Sequence, residues 1–172
     1  PTRKWTSLKA TADTVSFVGI SGMTVAADTI TVNVNQTASD GSIVDYDAQN
    51  LVIATGPSAT ITLDMAGSKG ALLEASGNLE IDLFGFFMVS GGFAFEKSSD
   101  SVALADGSNV NVDKLTIGAS NVDAFAGLNG GTADELGLKL EGVSFGLALL
   151  TDQATPTRKW TSLKATADTV SF

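Results

Sequence analysis

Leu79-Glu80-Ile81-Asp82-Leu83-Phe84-Gly85-Phe86-Phe87-Met88-Val89-Ser90-Gly91-Gly92-Phe93-Ala94-Phe95 carries an apolar residue or a glycine at every odd position. A period of two places those residues on one face of an extended chain, which is strand periodicity and excludes a helix. Gly85 and Gly91 interrupt the side chains without breaking the phase, as glycines do where a strand bends or another backbone approaches closely. The opposite face begins acidic at Glu80 and Asp82 and turns apolar at Phe84, Phe86 and Met88, so this middle section is expected to be covered on both sides.

The same alternation, interrupted at intervals, runs through the rest of the chain. Five segments begin at Leu8, Met23, Leu72, Leu115 and Leu138 and place a further apolar residue seven positions on, at Val15, Ile30, Leu79, Val122 and Phe145. Between them lie small polar kinks: Asp13-Thr14, Asp28-Thr29, Gly77-Asn78, Ser120-Asn121 and Val143-Ser144. An odd offset reverses the inward face unless an extra residue is inserted, so each kink predicts a β-bulge or a corner. Bulged, bent strands are how sheets curl into barrels. The five segments are unevenly spaced, which argues against the regular coils of a β-solenoid.

Asp40-Gly41 and Asp106-Gly107 read as hairpin turns, with Gly56-Pro57, Gly67-Ser68 and Gly130-Gly131 as further breaks. Nine or ten strands fit between them. Thr132 to Leu136 allows one helical turn at most. The expected fold is all-β: a closed antiparallel barrel of bent, bulged strands first, a β-sandwich second, a solenoid last.

The two ends of the chain are identical. PTRKWTSLKATADTVSF occupies positions 1–17 and again 156–172, so residues 1–155 form one complete period and 156–172 begin the next. Such identity marks a tandem array. A period of 155 residues is long enough to bury its own core. The six basic residues of the two copies leave only four in residues 18–155, against seventeen acidic ones. Nucleic acid is thereby excluded as a partner, since phosphate binding needs clustered Lys and Arg. Any export signal is expected outside this stretch, and no apolar run approaches the ~20 residues of a spanning helix.

Chemistry is sparse. With no His, no Cys and one tyrosine, Tyr46, the chain lacks the usual bases and nucleophiles, so no catalytic residue is assigned and no enzyme activity is expected. Glu80 with Asp82, and Asp45 with Asp47, are neighbours on one strand face, where a glycosidase pair must face across a cleft. Asp40, Asp45 and Asp47 around Gly41 could offer oxygens to calcium, but the spacing departs from the EF-hand loop, and an acidic turn is the ordinary explanation. No metal site and no cofactor are therefore assigned. Gly19, Gly22, Gly91-Gly92 and Gly130-Gly131 precede no helix, so they form no phosphate loop. Trp5, Trp160 and the phenylalanines from Phe84 to Phe95 could line a glycan or lipid site; packing in a core or seam is the commoner role of aromatics at strand spacing. A transmembrane barrel would need aromatic girdles, which are missing.

Ala75-Ser76-Gly77-Asn78-Leu79, continuing through Phe84-Gly85-Phe86-Phe87 to Val89-Ser90-Gly91 and Phe93-Ala94-Phe95-Glu96-Lys97, resembles a unit repeated in very large bacterial proteins. So does Leu115-Thr116-Ile117-Gly118-Ala119-Ser120-Asn121-Val122 with Gly127-Leu128-Asn129-Gly130-Gly131. The resemblance spans the whole period. It implies a giant secreted or surface-attached array of β-barrels stacked along a common axis, and it brings no catalytic or binding residues.

The expected function is structural: a rigid stalk, spacer or fibre module of an extracellular or cell-surface protein. Its partners would be neighbouring copies, joined in cis or head to tail in trans, with no small molecule and no membrane insertion. A hollow barrel holding a glycan or lipid, and a calcium-stiffened adhesin extender, are the alternatives. Pro1 and Pro156 are expected to start the strand that enters each unit, where a missing N–H is harmless.

Overall fold

A computed structural model describes residues 3–17 and 19–172 of this chain. The chain is all-β. Among the described residues ten strands form, in order: β1 (Thr6–Phe17), β2 (Met23–Gln36), β3 (Leu51–Ala54), β4 (Thr60–Leu63), β5 (Leu72–Leu83), β6 (Phe87–Ala103), β7 (Asn109–Leu128), β8 (Leu136–Asp152), β9 (Lys159–Thr166) and β10 (Thr169–Ser171). A short 3-10 turn at Gly67–Lys69 is the only helical element of the described residues.

One antiparallel sheet holds eight of the strands, in the order β1-β2-β5-β6-β7-β8, with β9 and β10 both on the far side of β8. The hairpin β3–β4 forms a separate two-stranded sheet. Among the described residues the two outer edges of the large sheet do not pair with one another, so this single chain leaves its sheet open.

Register puts the apolar residues on one face. Ala10, Val32, Ala75, Phe95, Ile117, Leu147 and Leu163 follow one another across seven strands. Further along the strands, Val25, Ile81, Val89, Ala124, Leu140 and Val170 do the same. The reverse face carries Lys9, Asn33, Glu74, Glu96, Thr116 and Ser162. Alternation written into each strand thus becomes a two-sided sheet once pairing aligns the strands.

The pattern survives midway along the strands because extra residues are inserted there. β2 gains one between Asp28 and Thr31, β7 one between Ala119 and Val122, and β8 one between Leu140 and Val143. Thr29 and Asn121 sit in the left-handed region at φ 53° and 49°, and Gly142 at 61°. These positions line up across the sheet in a single crease, where bulges increase the twist and bend each strand. On the apolar side the crease is crowded. A Cβ on Gly77 would lie 3.0 Å from the Asp28 carbonyl oxygen, and one on Gly91 only 2.7 Å from Val122 Cα.

Three of the five expected kinks fall where the sequence places them, and the other two differ. Asp28-Thr29 and Ser120-Asn121 are bulges. Asp13-Thr14 crosses the crease without a shift because β2 bulges opposite it, so Leu8 and Val15 stay on one face. In β8 the extra residue lies at Glu141-Gly142, upstream of Val143-Ser144, because Gly142 accepts the positive φ more readily than the valine would. β5 runs straight past Gly77-Asn78. Leu72 consequently points to the reverse face, away from Leu79.

That orientation has a use. The connection from β2 to β5, residues 37–71, folds over the reverse face as a small second layer. Leu72, 1 % exposed, packs there with Tyr46, Leu63 and Met65, flanked by Val44 and Ile61. Asn35, fully buried, is tied in by Nδ2 donating to the Val44 carbonyl at 2.9 Å and Oδ1 accepting from Ser7 Oγ at 3.0 Å.

The Leu79–Phe95 stretch is two strands and a turn. Phe84, at φ 58°, and Gly85, at 69°, reverse the chain, and the three-residue loop pairs Leu83 with Phe87 so that the odd phase carries on into β6. Phe84 and Phe86 are 57 % and 55 % exposed at this tip, so the expected two-sided cover is absent there. The loop is short and its side chains have no second layer to enter. Gly91 does mark the close backbone approach that its place in the pattern predicts.

Asp106-Gly107 closes the β6–β7 hairpin, with Leu104 N donating to the Ser108 carbonyl at 2.8 Å. Asp40-Gly41 makes the same turn, Ala38 N to Ser42 O at 2.8 Å, inside the 37–71 connection, where it joins no two paired strands. Pro156 lies in the turn before β9, which Arg158 N closes on the Thr155 carbonyl at 2.8 Å. Proline's fixed φ suits the second position of such a turn, so the strand proper begins three residues later than expected. Pro1 lies outside the described residues.

The exposed area of 10,847 Å² is large. A compact monomer of this mass exposes about 7,900 Å², so about 2,900 Å² is uncovered beyond that expectation. Leu8, Leu73, Leu149 and Leu163, all on the apolar face, are 50, 38, 36 and 67 % exposed.

Candidate assembly edges

The two identical segments occupy opposite edges of the same sheet. β1 pairs with β2, and its copy, β9 with β10, pairs with β8. Six antiparallel pairings, an even number, lead from β1 to β9, so both copies run the same way. Both present the same residues to the apolar face: Leu8 and Ala10 in the first, Leu163 and Ala165 in the second. The edge that β1 commits to β2 is therefore the edge that β9 leaves open, and the reverse.

Side chains divide in the same manner. The first copy makes the β2-side contacts. Arg3 Nε meets Asp40 Oδ2 at 2.7 Å, and Lys9 Nζ meets Asp64 at 2.8 Å. Ser7 Oγ accepts from the Tyr46 hydroxyl at 3.0 Å while donating to Asn35. The second copy makes the β8-side contacts. Arg158 Nη1 meets the buried Asp152 at 3.2 Å, and Trp160 lies opposite Leu150. Asp152 also accepts from the backbone of Ala154 and Thr155, which fixes the turn into β9. Within each copy arginine lies over tryptophan, Arg3 on Trp5 at 5.7 Å and Arg158 on Trp160 at 5.2 Å. That pairing belongs to the segment itself.

The crease is repeated in the second copy. Asp168 N donates to the Glu141 carbonyl at 3.0 Å, opposite the β8 bulge, as Asp13 crosses the β2 bulge in the first copy. The segment thus carries a bend that fits both neighbours. Tracing a row across the sheet leads from Ala10 to Leu163, the copy of Leu8. The second copy is therefore offset from the first by two residues on this side of the crease.

The candidate ligand groups do other work. Asp40 Oδ1 accepts from Ser42 Oγ and Ser42 N, which hold its carboxyl below the usual range. Asp45 Oδ1 accepts from Gly67 N at 2.9 Å and from Asp47 N, and it too is lowered, chiefly by the Gly67 bond. Both acids pin the 37–71 layer. Glu80 and Asp82 share the reverse face of β5, and Asp82 accepts from Gly85 N to hold the hairpin tip. Among the described residues no three acids come together in a cage for a metal ion. Phe93 and Phe95 lie on the apolar face, Trp5 and Trp160 on the two edge segments.

Asn35, Asp64 and Asp152 gave no signal in the sequence. Their roles come from partners 9 to 55 positions away or from a turn whose geometry only pairing defines.

No protein-family model matches this chain, and no curated protein or solved structure is similar to it.

Proposed function

We propose that this chain is one unit of a structural tandem array, a stalk or fibre module of a secreted or cell-surface protein, with no catalytic role. One observation carries the reading: identical segments end on opposite edges of one sheet, in the same direction and with the same face apolar. Placing the second copy in the first copy's position generates the next unit without a break in the sheet. In the array each copy is a central strand, bonded on one side to β8 of the preceding unit and on the other to β2 of its own.

This arrangement removes two liabilities of the lone chain. It pairs both open edges, which otherwise invite unspecific strand addition. It also shields part of the excess exposed area, an amount above the 1,200–2,000 Å² that a specific contact typically buries. We propose further that the crease turns the two halves of the apolar face toward one another. The enclosed interior expected of a barrel or sandwich would then belong to the extended array, each unit supplying one section of its wall.

Six strands at ~4.8 Å advance the array by about 29 Å per unit along the hydrogen-bonding direction. Tens of units would span on the order of a thousand ångströms. Aligned fibres of a protein with several covalently joined periods test this. A 4.7–4.8 Å reflection along the fibre axis is expected, because strands would lie across it. Barrels stacked on a common axis would put that reflection off the axis and defeat the proposal.

A further inference from the structure

We infer that residues 156–172 act as a donor strand for a second copy of this chain, docking on that molecule's β2 in the place held by its own β1. The inference rests on the tandem reading and extends it from units in one polypeptide to separate molecules.

Every contact of β1 has its counterpart in the second copy. Arg158 would meet Asp40 of the recipient, Lys164 its Asp64, and Ser162 its Asn35 and Tyr46. Leu163 would lie opposite Val34 and Ala165 opposite Val32, as Leu8 and Ala10 do now. Lys164 has no acidic partner among the described residues, whereas its equivalent Lys9 has Asp64. The donor is also already shaped. β9 and β10 are extended on β8, and Asp168 carries the bend that the recipient's bulge requires. Little ordering remains to be done on docking.

The contact is head to tail, because the donor lies at one edge of the sheet and the acceptor at the other. Repetition gives open chains of molecules and never a closed pair. Docking must displace the recipient's β1, which is tethered by a short loop at an effective concentration on the order of millimolar. The unmodified chain therefore holds its own exchange in check, and weakening the first copy alone should release it.

The experiment uses the full chain with Leu8→Glu and Lys9→Glu, which leaves 156–172 intact. Sedimentation at concentrations from about 10 μM to ~1 mM should show an average mass that climbs past the dimer. The parent should need at least tenfold more protein to reach the same mass. Adding Leu163→Glu and Lys164→Glu should restore the monomer.

Each of these results would overturn the inference: a doubly substituted chain as monomeric as its parent at the highest concentration, a mass that stops at two, or equal association after all four changes. Association unaffected by Leu8→Glu and Lys9→Glu would place β9 against the outer side of β1, and overturns it too.

A second measurement covers the case in which these variants do not fold. The chain has no cysteine, so Val34→Cys molecules mixed with Leu163→Cys molecules should form mixed disulfides. Val25→Cys molecules, on the same face but across the crease, should not. Equal trapping by both would refute the register. The fibre pattern concerns covalently joined units, so a failure of exchange between molecules is told apart from a failure of the tandem reading.

Discussion

Gly91→Ala should be among the most damaging single-methyl additions in this chain. Gly91 lies in β6 at the crease with φ 153°, a conformation that residues with a side chain rarely adopt. Its added Cβ would come within 2.7 Å of Val122 Cα and Cγ2 and 2.9 Å of the Asn121 carbonyl oxygen. Two of those atoms are backbone, so no rotamer change relieves the overlap. Forced overpacking costs about 1–3 kcal/mol, and holding a non-glycine residue at such a φ costs a similar amount. About 3 kcal/mol is a fair sum, and for a chain of this length each kcal/mol lowers Tm by roughly 2–4 °C. The thermal midpoint by far-UV circular dichroism should therefore fall by about 6–12 °C.

Gly146→Ala is the matched control, since a Cβ there meets nothing within 4 Å. It should leave the midpoint unchanged or raise it slightly, because alanine loses less freedom on folding. If Gly91→Ala melted within about 2 °C of the parent, or if the two variants fell equally, the crease would not be the tight point described. The shared apolar face would then need another explanation.

Leu72→Ala should cost about 2–5 kcal/mol by emptying the cluster beneath Tyr46, Leu63 and Met65, with strand content of the large sheet retained by circular dichroism. Asn35→Ala should cost about 1–3 kcal/mol, because it leaves the Val44 carbonyl and Ser7 hydroxyl without their buried partner; an unchanged urea midpoint would contradict this. Acid should destabilise the chain in a defined window. Asp28, held down by hydrogen bonds from Asn78 and Thr29, titrates below its ordinary value when folded, as do Asp40, Asp45, Asp100, Asp106 and Glu135. In Glu96 burial pushes the other way, but Lys69, Ser98 and Lys114 outweigh it. Their contribution is complete above the unfolded carboxylate values near ~4 and is lost as pH falls through the lower folded ones. Lys114, raised mainly by its bond to Asp100, and Lys139, raised mainly by Glu135, behave oppositely. Their share is present below the ordinary lysine value and lost as pH rises through the raised one. The midpoint should hold steady from about pH 5 to about pH 9 and drop on either side; a maximum near pH 3 would reverse the sign and refute the assignment.

Much of this architecture is legible in the chain because side-chain alternation is a local property. Ile81, Val89, Phe93 and Phe95 show their common face by spacing alone, and Asp28-Thr29 shows that a residue must be inserted to keep such a face along one strand. Turn chemistry is equally local, which is why Asp106-Gly107 reads correctly as a hairpin. Asp40-Gly41 makes the same turn for the same reason, but no local signal says whether paired strands flank it. The two sheet edges are half legible: the identity of the two end segments is plain, while the acids that contact them, Asp40, Asp64 and Asp152, look like ordinary acidic residues of turns and loops.

What the sequence by itself determined is the all-β class, the apolar face, most of the turns and the identity of the two ends. Only the tertiary structure decided that the first and last segments flank one sheet without meeting, that β5 runs straight while β2, β7 and β8 bulge, and that Leu72 turns to the 37–71 layer. The physical reason is that alternation constrains a strand's faces and leaves its edges unspecified. Which strand occupies an edge, and on which side of a pair an extra residue is placed, depends on hydrogen bonds between segments far apart in the chain.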